Sequence, residues 1–137
     1  MAKHEEVKEG IIFSIGETND AFADSFIGQS FLNTLVNEDN IDVVVGNVTF
    51  EPGCRNNWHV HTEGYQILLV TGGEGWYQEE GKPSQKLAPG SVIVTHKGVK
   101  HWHGATKDSW FEHIAITSGA SEFLESVSDE HYESIEK

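Results

Sequence analysis

Cysteine is all but missing from this chain. Cys54 is the only one, so no intrachain disulfide can form and a reducing compartment suits the protein. Basic residues are scarce too. Nine lysines and arginines, with Arg55 the sole arginine, face 22 acidic residues and leave a net charge of −13. With no basic patch to displace counterions from phosphates, nucleic acid is not an expected partner. The same charge opposes docking on anionic membranes. Long apolar runs are also lacking. Nothing approaches the roughly 20 residues of a membrane-spanning helix, and the opening Met1-Ala2-Lys3-His4-Glu5-Glu6 has no signal-peptide apolar stretch. These absences together predict a cytoplasmic protein.

What is present reads as one folded domain. A length of 137 residues is enough for a single core and short for two, and 37% hydrophobic residues exclude a disordered chain. Residues 1–10 are charged and read as an N-terminal arm, 11–118 as a barrel, and 119–137 as a C-terminal helical segment. Within the barrel, Gly10–Ile15 reads as a first short strand. Ile41–Phe50 is a long β-branched strand closed by Glu51-Pro52-Gly53, and Gln66–Thr71 is an apolar one broken by Gly72-Gly73-Glu74-Gly75. Further strands follow at Gly75–Gln78, Ser91–Thr95 and Trp110–Thr117. Short strands at about ten-residue spacing with Gly-rich turns indicate an all-β sandwich or barrel. Ser121–Glu125 and Ser128–Tyr132 read as short helices, the second with Ser128 as N-cap and acids in its first turn.

The chemistry concentrates in Trp58-His59-Val60-His61, Gln66 and His101-Trp102-His103. Histidines at i and i+2 of a strand share one face, so the imidazoles of His59 and His61 converge while Trp58 and Val60 point away. Such a pair, with a distant histidine and an amide or carboxylate, is the ligand set of a facial metal site. The plainer possibility is a set of histidines that only hydrogen-bond within a barrel core.

The spacing favours the metal site over the plainer possibility. Gly53, five residues, His59-Val60-His61, four residues, Gln66, six residues, Gly73 is followed by Gly90, five residues, His96, and then His101. This pattern resembles the cupin superfamily, whose first motif carries Glu where Gln66 stands and whose second carries Pro where His96 stands. The resemblance covers about half the chain. It implies a double-stranded β-helix, the cupin jelly-roll barrel, with His59, His61, Gln66 and His101 around one divalent metal ion per subunit. Neutral N and O ligands suit Mn, Fe, Co, Ni or Zn.

Val48-Thr49-Phe50-Glu51-Pro52-Gly53, Gly75-Trp76 and Lys100-His101-Trp102-His103-Gly104-Ala105 narrow the likeness. They resemble small bacterial cupins with manganese-dependent hydroxynitrile lyase activity and their carboxymuconolactone-decarboxylase-like relatives. That resemblance makes manganese the first choice of metal. It implies reversible cleavage of a cyanohydrin to a carbonyl compound and cyanide, with a Lewis-acid metal and a histidine base. His113, twelve residues beyond His101, occupies the place of a pocket histidine in that group and is the first candidate base. His103, on the face of His101 if the segment is extended, is a second candidate, as pocket acid or as hydrogen-bond partner to a ligand. Gly46, Val48, Leu68, Ala115 and Thr117 are expected to line the substrate pocket. The turn between His61 and Gln66 differs by one residue from those lyases, which leaves the substrate open.

Gln66 is the departure that matters chemically. An amide in place of a carboxylate leaves a divalent site at its full charge, favouring Lewis-acid chemistry over oxygen activation. Three other readings stand beside the lyase: a sugar-acid or uronate-processing cupin, a non-catalytic ligand-binding cupin, and a metal-dependent dioxygenase. Cys54 reads as a small structural thiol, His96 as a surface turn residue, His4 and His131 as solvated, and the four tryptophans as core or interface aromatics. The expected partners are a small-molecule substrate and further copies of the chain, as a dimer or tetramer.

Overall fold

In chain order the strands of the computed structural model, which describes residues 12–136, are β1 (Glu17–Thr18), β2 (Phe26–Ile27), β3 (Ser30–Val36), β4 (Val43–Phe50), β5 (Arg55–Asn56), β6 (His59–His61) and β7 (Tyr65–Gly73). They continue as β8 (Gly75–Glu79), β9 (Gln85–Leu87), β10 (Val92–Thr95), β11 (His101–Ala105), β12 (Phe111–Ser118) and β13 (Ser121–Phe123), before one helix, α1 (Asp129–Glu136). A 3-10 segment, Asp20–Ser25, links β1 to β2. One sheet runs β1-β3-β4-β12-β7-β10, and the other runs β13-β6-β11-β5-β2, with β8 joining β11 to β9. All the pairings are antiparallel. The strand spacing predicts an all-β architecture and the cupin resemblance a jelly roll, and both are found; no helix among the described residues is long and apolar enough to cross a membrane.

Alternation along β4 and β12 sorts the first sheet into two faces. Val48 pairs with His113, and Gly46 with Ala115, so Gly46, Val48, Phe50, His113, Ala115 and Thr117 share the inner face. Phe50 and Ala115 belong there to an apolar cluster that includes Cys54, Leu68, Val70, Tyr77, Leu87 and Phe111. The Cys54 thiol is 1% exposed and burial pushes its pKa to about 12, as expected of an inert structural residue.

The second sheet depends on a close approach at Gly104. It pairs with Arg55, and a Cβ there would meet the Arg55 Cβ at 2.5 Å and the Cys54 carbonyl at 2.6 Å. Glycine alone lets β5 lie against β11 at that point. Outside this sheet, α1 packs its Tyr132 with Trp102 and Val127, and Trp58 and Trp76 lie against this cluster. Ser128 caps α1 as expected, its Oγ accepting from the His131 N–H.

Three local expectations fail. Ile12–Ile15 is not a strand, and the first described strand begins at Glu17. Gly10, Ile11, His4 and the rest of the arm lie outside the described residues. Ser121–Phe123 is a strand, not a helix, because β6 offers a free edge: Ser121 pairs with His61 and Phe123 with His59. His131 is half-buried, not solvated. Its Nε2 meets Gln78 Oε1 at 2.7 Å and its ring packs against Trp58.

Candidate metal centre

β6 places His59 and His61 on one face, and β11 sets His101 directly across from His59. The ring centroids of His59 and His101 are 4.1 Å apart, those of His61 and His101 5.2 Å, and those of His59 and His61 5.4 Å. One nitrogen from each ring falls within 4.8 Å of the others, and all three residues are buried.

The far side of each ring is fixed. His59 Nδ1–H donates to the Asn57 carbonyl at 2.8 Å, and His101 Nδ1–H to the Val99 carbonyl at 3.0 Å. His61 Nδ1 meets Ser121 Oγ at 2.9 Å. A carbonyl can only accept, so His59 and His101 carry their proton on Nδ1 and offer a lone pair at Nε2. The Nε2 atoms of His61 and His101 are buried without a hydrogen-bond partner. Desolvation holds His59 well below the usual imidazole range, lowers His61, and brings His101 to about 4. Three neutral imidazoles converging on one point, two of them with buried and unshared lone pairs, make a poor apolar core and a good cation site.

Gln66 stands beside this triad on β7. Its Nε2 donates to Thr117 Oγ1 at 2.9 Å, which turns the amide so that Oε1 is left buried and unpartnered. Gln66 lies close enough to His61 to offset part of the desolvation there, without a well-formed hydrogen bond between them. The triad and Gln66 Oε1 together fit a divalent ion held by neutral N and O donors.

A cavity of about 410 Å³ opens onto His59 and Gln66. Of the expected pocket residues, Gly46, Val48, Ala115 and Thr117 line it, as do His103 and His113. Leu68 does not. It is fully buried, packed in the apolar cluster with residues such as Val70, Tyr77 and Phe111. Phe22, Phe26, Leu32, Val44, Phe50 and Phe123 make the walls largely apolar, and no aspartate, glutamate, lysine or arginine lines the cavity. His113 is 1% exposed and neither ring nitrogen has a hydrogen-bond partner. Desolvation lowers it to about 4, so it is a neutral base at neutral pH. Desolvation also holds His103 far below its ordinary value, with the neighbouring His113 adding to the effect.

Asn56, Thr117 and Ser121 each orient a site side chain, and sequence patterning identifies none of them in that role. Thr117 is legible only as a wall residue, and Asn56 and Ser121 leave no signal because their partners lie 47 and 60 positions away. His96 is an exposed turn residue, as expected.

Comparison with known proteins agrees with this geometry. Residues 46–117 match the cupin domain family. The chain is 41% identical over 115 residues to an (R)-mandelonitrile lyase of Granulicella tundricola, covering 80% of this chain and 87% of that protein. The crystal structure of a cupin-like protein from Thermotoga maritima superposes with a TM-score of 0.85 at 41% identity, over 90% of this chain and 96% of the other. A DMSP lyase of Ruegeria pomeroyi matches with a TM-score of 0.61 at 22% identity, over 77% and 55% of the two chains, a likeness of fold alone.

Proposed function

Because the chain belongs to the cupin family, we propose that it is a metal-dependent lyase of the hydroxynitrile-lyase type, cleaving a cyanohydrin reversibly to a carbonyl compound and cyanide. The observation that carries the reading is the unpaired neutral His113 in a charge-free apolar cavity whose wall includes the metal-site residues His59 and Gln66. Identity to a protein named as a mandelonitrile lyase supports the same reaction class.

His59, His61, His101 and Gln66 would hold the ion, with manganese the first choice. A divalent ion there supplies Lewis acidity undiminished by any ligand charge. His113 accepts the hydroxyl proton of the cyanohydrin. The bond between the carbinol and nitrile carbons then breaks, and its electron pair leaves with cyanide. Return of the proton from His113 to cyanide gives hydrogen cyanide and restores the neutral imidazole. The apolar walls exclude water and accept the organic substituent.

The cavity also weighs against the other readings. A sugar acid or other carboxylate would find no lysine or arginine on the wall to pair with. Oxygen activation gains nothing from a ligand set without an anion. A purely binding cupin has no use for a buried base without a partner.

The test is metal analysis of protein purified without chelator, followed by assays for cleavage of mandelonitrile and for oxygen uptake. One divalent ion per chain, cyanide release and no oxygen uptake are expected, and His59→Ala is expected to lose both metal and cleavage. Metal-replete protein that releases no cyanide, or a metal-free His59→Ala variant that cleaves at the native rate, would sink the proposal.

A further inference from the structure

Asn56 grips His103 at two points. The His103 backbone N–H donates to Asn56 Oδ1 at 2.9 Å, and Asn56 Nδ2 lies 3.0 Å from His103 Nε2. Each residue is 3% exposed. Gly104 makes the grip possible, since the contact of Arg55 with Gly104 brings β5 against β11 one residue away on each strand.

The chemistry of these groups leaves one arrangement. A backbone N–H can only donate, so the amide oxygen must face it and the amide NH₂ must face the ring. An NH₂ can only donate, so Nε2 must offer a lone pair. His103 is therefore a neutral imidazole with its proton on Nδ1. That Nδ1 is buried and has no hydrogen-bond partner. The ring meets His113 edge-on, with centroids 4.9 Å apart, and His113 has both nitrogens unpartnered.

We infer that Asn56 is a positioning residue that divides the work between the two cavity histidines: it makes His103 an Nδ1–H hydrogen-bond donor and leaves His113 as the base. A fixed N–H donor stabilises negative charge developing on the departing cyanide without giving up its proton, while His113 alone takes and returns one. The catalytic consequence rests on the lyase reading above; the tautomer of His103 does not.

Asn56→Asp separates these claims. The carboxylate is close to the amide in shape and can only accept, so it keeps the bond from the backbone N–H and requires a proton on Nε2. Zinc-loaded protein at neutral pH is examined by long-range ¹⁵N–¹H spectroscopy, with His103→Gln identifying the His103 signals. The native ring is expected to show a protonated Nδ1 and an unprotonated Nε2, and Asn56→Asp a protonated Nε2. With mandelonitrile, Asn56→Asp and Asn56→Ala are each expected to lower kcat about a hundredfold while KM changes less than about threefold. A native His103 protonated on Nε2, or an Nε2 unchanged by Asn56→Asp, overturns the positioning role. A changed tautomer with undiminished kcat overturns the division of labour. Native protein that fails to cleave mandelonitrile counts against the lyase reading, and the spectra still decide the role of Asn56.

Discussion

His113 is buried among Phe50, Phe111 and His103 with nothing to share its proton. Burial lowers its pKa from 6.5 to about 4. A base whose pKa is lowered stays neutral, and competent, down to that lower value. The cleavage rate of metal-loaded protein is therefore expected to hold from neutral pH to about 5 and to fall about tenfold per unit below 4. An exposed imidazole would begin to fail at 6.5. Measuring kcat/KM against pH, with metal content followed in parallel because His101 also sits at about 4, checks this. An acidic limb near 6.5 would mean that His113 is not the base. At this scale the sequence says a good deal: strand periodicity puts His59 and His61 on one face without any tertiary information. It says nothing of Asn56, whose partner is 47 residues away.

Among the elements, β13 and α1 show where local pattern and packing part. Ser121-Glu122-Phe123 has helical composition, yet the edge of β6 supplies ladder hydrogen bonds that an isolated turn of helix cannot match. α1 is held by a different device, the only arginine of the chain. Arg55 is 4% exposed, donates from Nη2 to the Val127 carbonyl at 2.8 Å and to Asp129 Oδ1 at 2.7 Å, and stacks over Tyr132 at 4.5 Å. The Asp129 side chain is 81% exposed, so the ion pair itself contributes little. The bond to the Val127 carbonyl and the stacking on Tyr132 carry the attachment. Arg55→Ala is expected to destabilise the protein by about 2 kcal/mol in urea unfolding, because it leaves a buried carbonyl unpaired. Asp129→Ala is expected to cost less than about 1 kcal/mol. Equal losses for the two variants would contradict this account.

At the scale of the whole molecule, the outer face of the six-stranded sheet has no covering layer over its β10 edge among the described residues. Val45, Ile116, Ile67 and Val94 align across four strands, with Ile114, Leu69 and Val92 in the next row. Val92 is 62% and Val94 46% exposed. These two rows carry no charged side chain, in a chain whose net charge of −13 otherwise resists association. The homo-oligomer expected from the sequence is predicted to form its contact here, sheet face against sheet face. Light scattering on the eluting protein is expected to give a dimer or larger, and Val94→Glu, at an exposed edge position, to shift the mass toward one chain. A native monomer would refute this contact.

The sequence by itself determined the β architecture and the imidazole cluster, because strand alternation and motif spacing are local properties of the chain. Only the tertiary structure decided where His59, His101 and His103 carry their protons, that Leu68 belongs to the core and not the pocket, and that Ser121 pairs with His61. Each of these depends on atoms brought together from distant positions, where hydrogen-bond polarity and burial act but sequence spacing carries no trace.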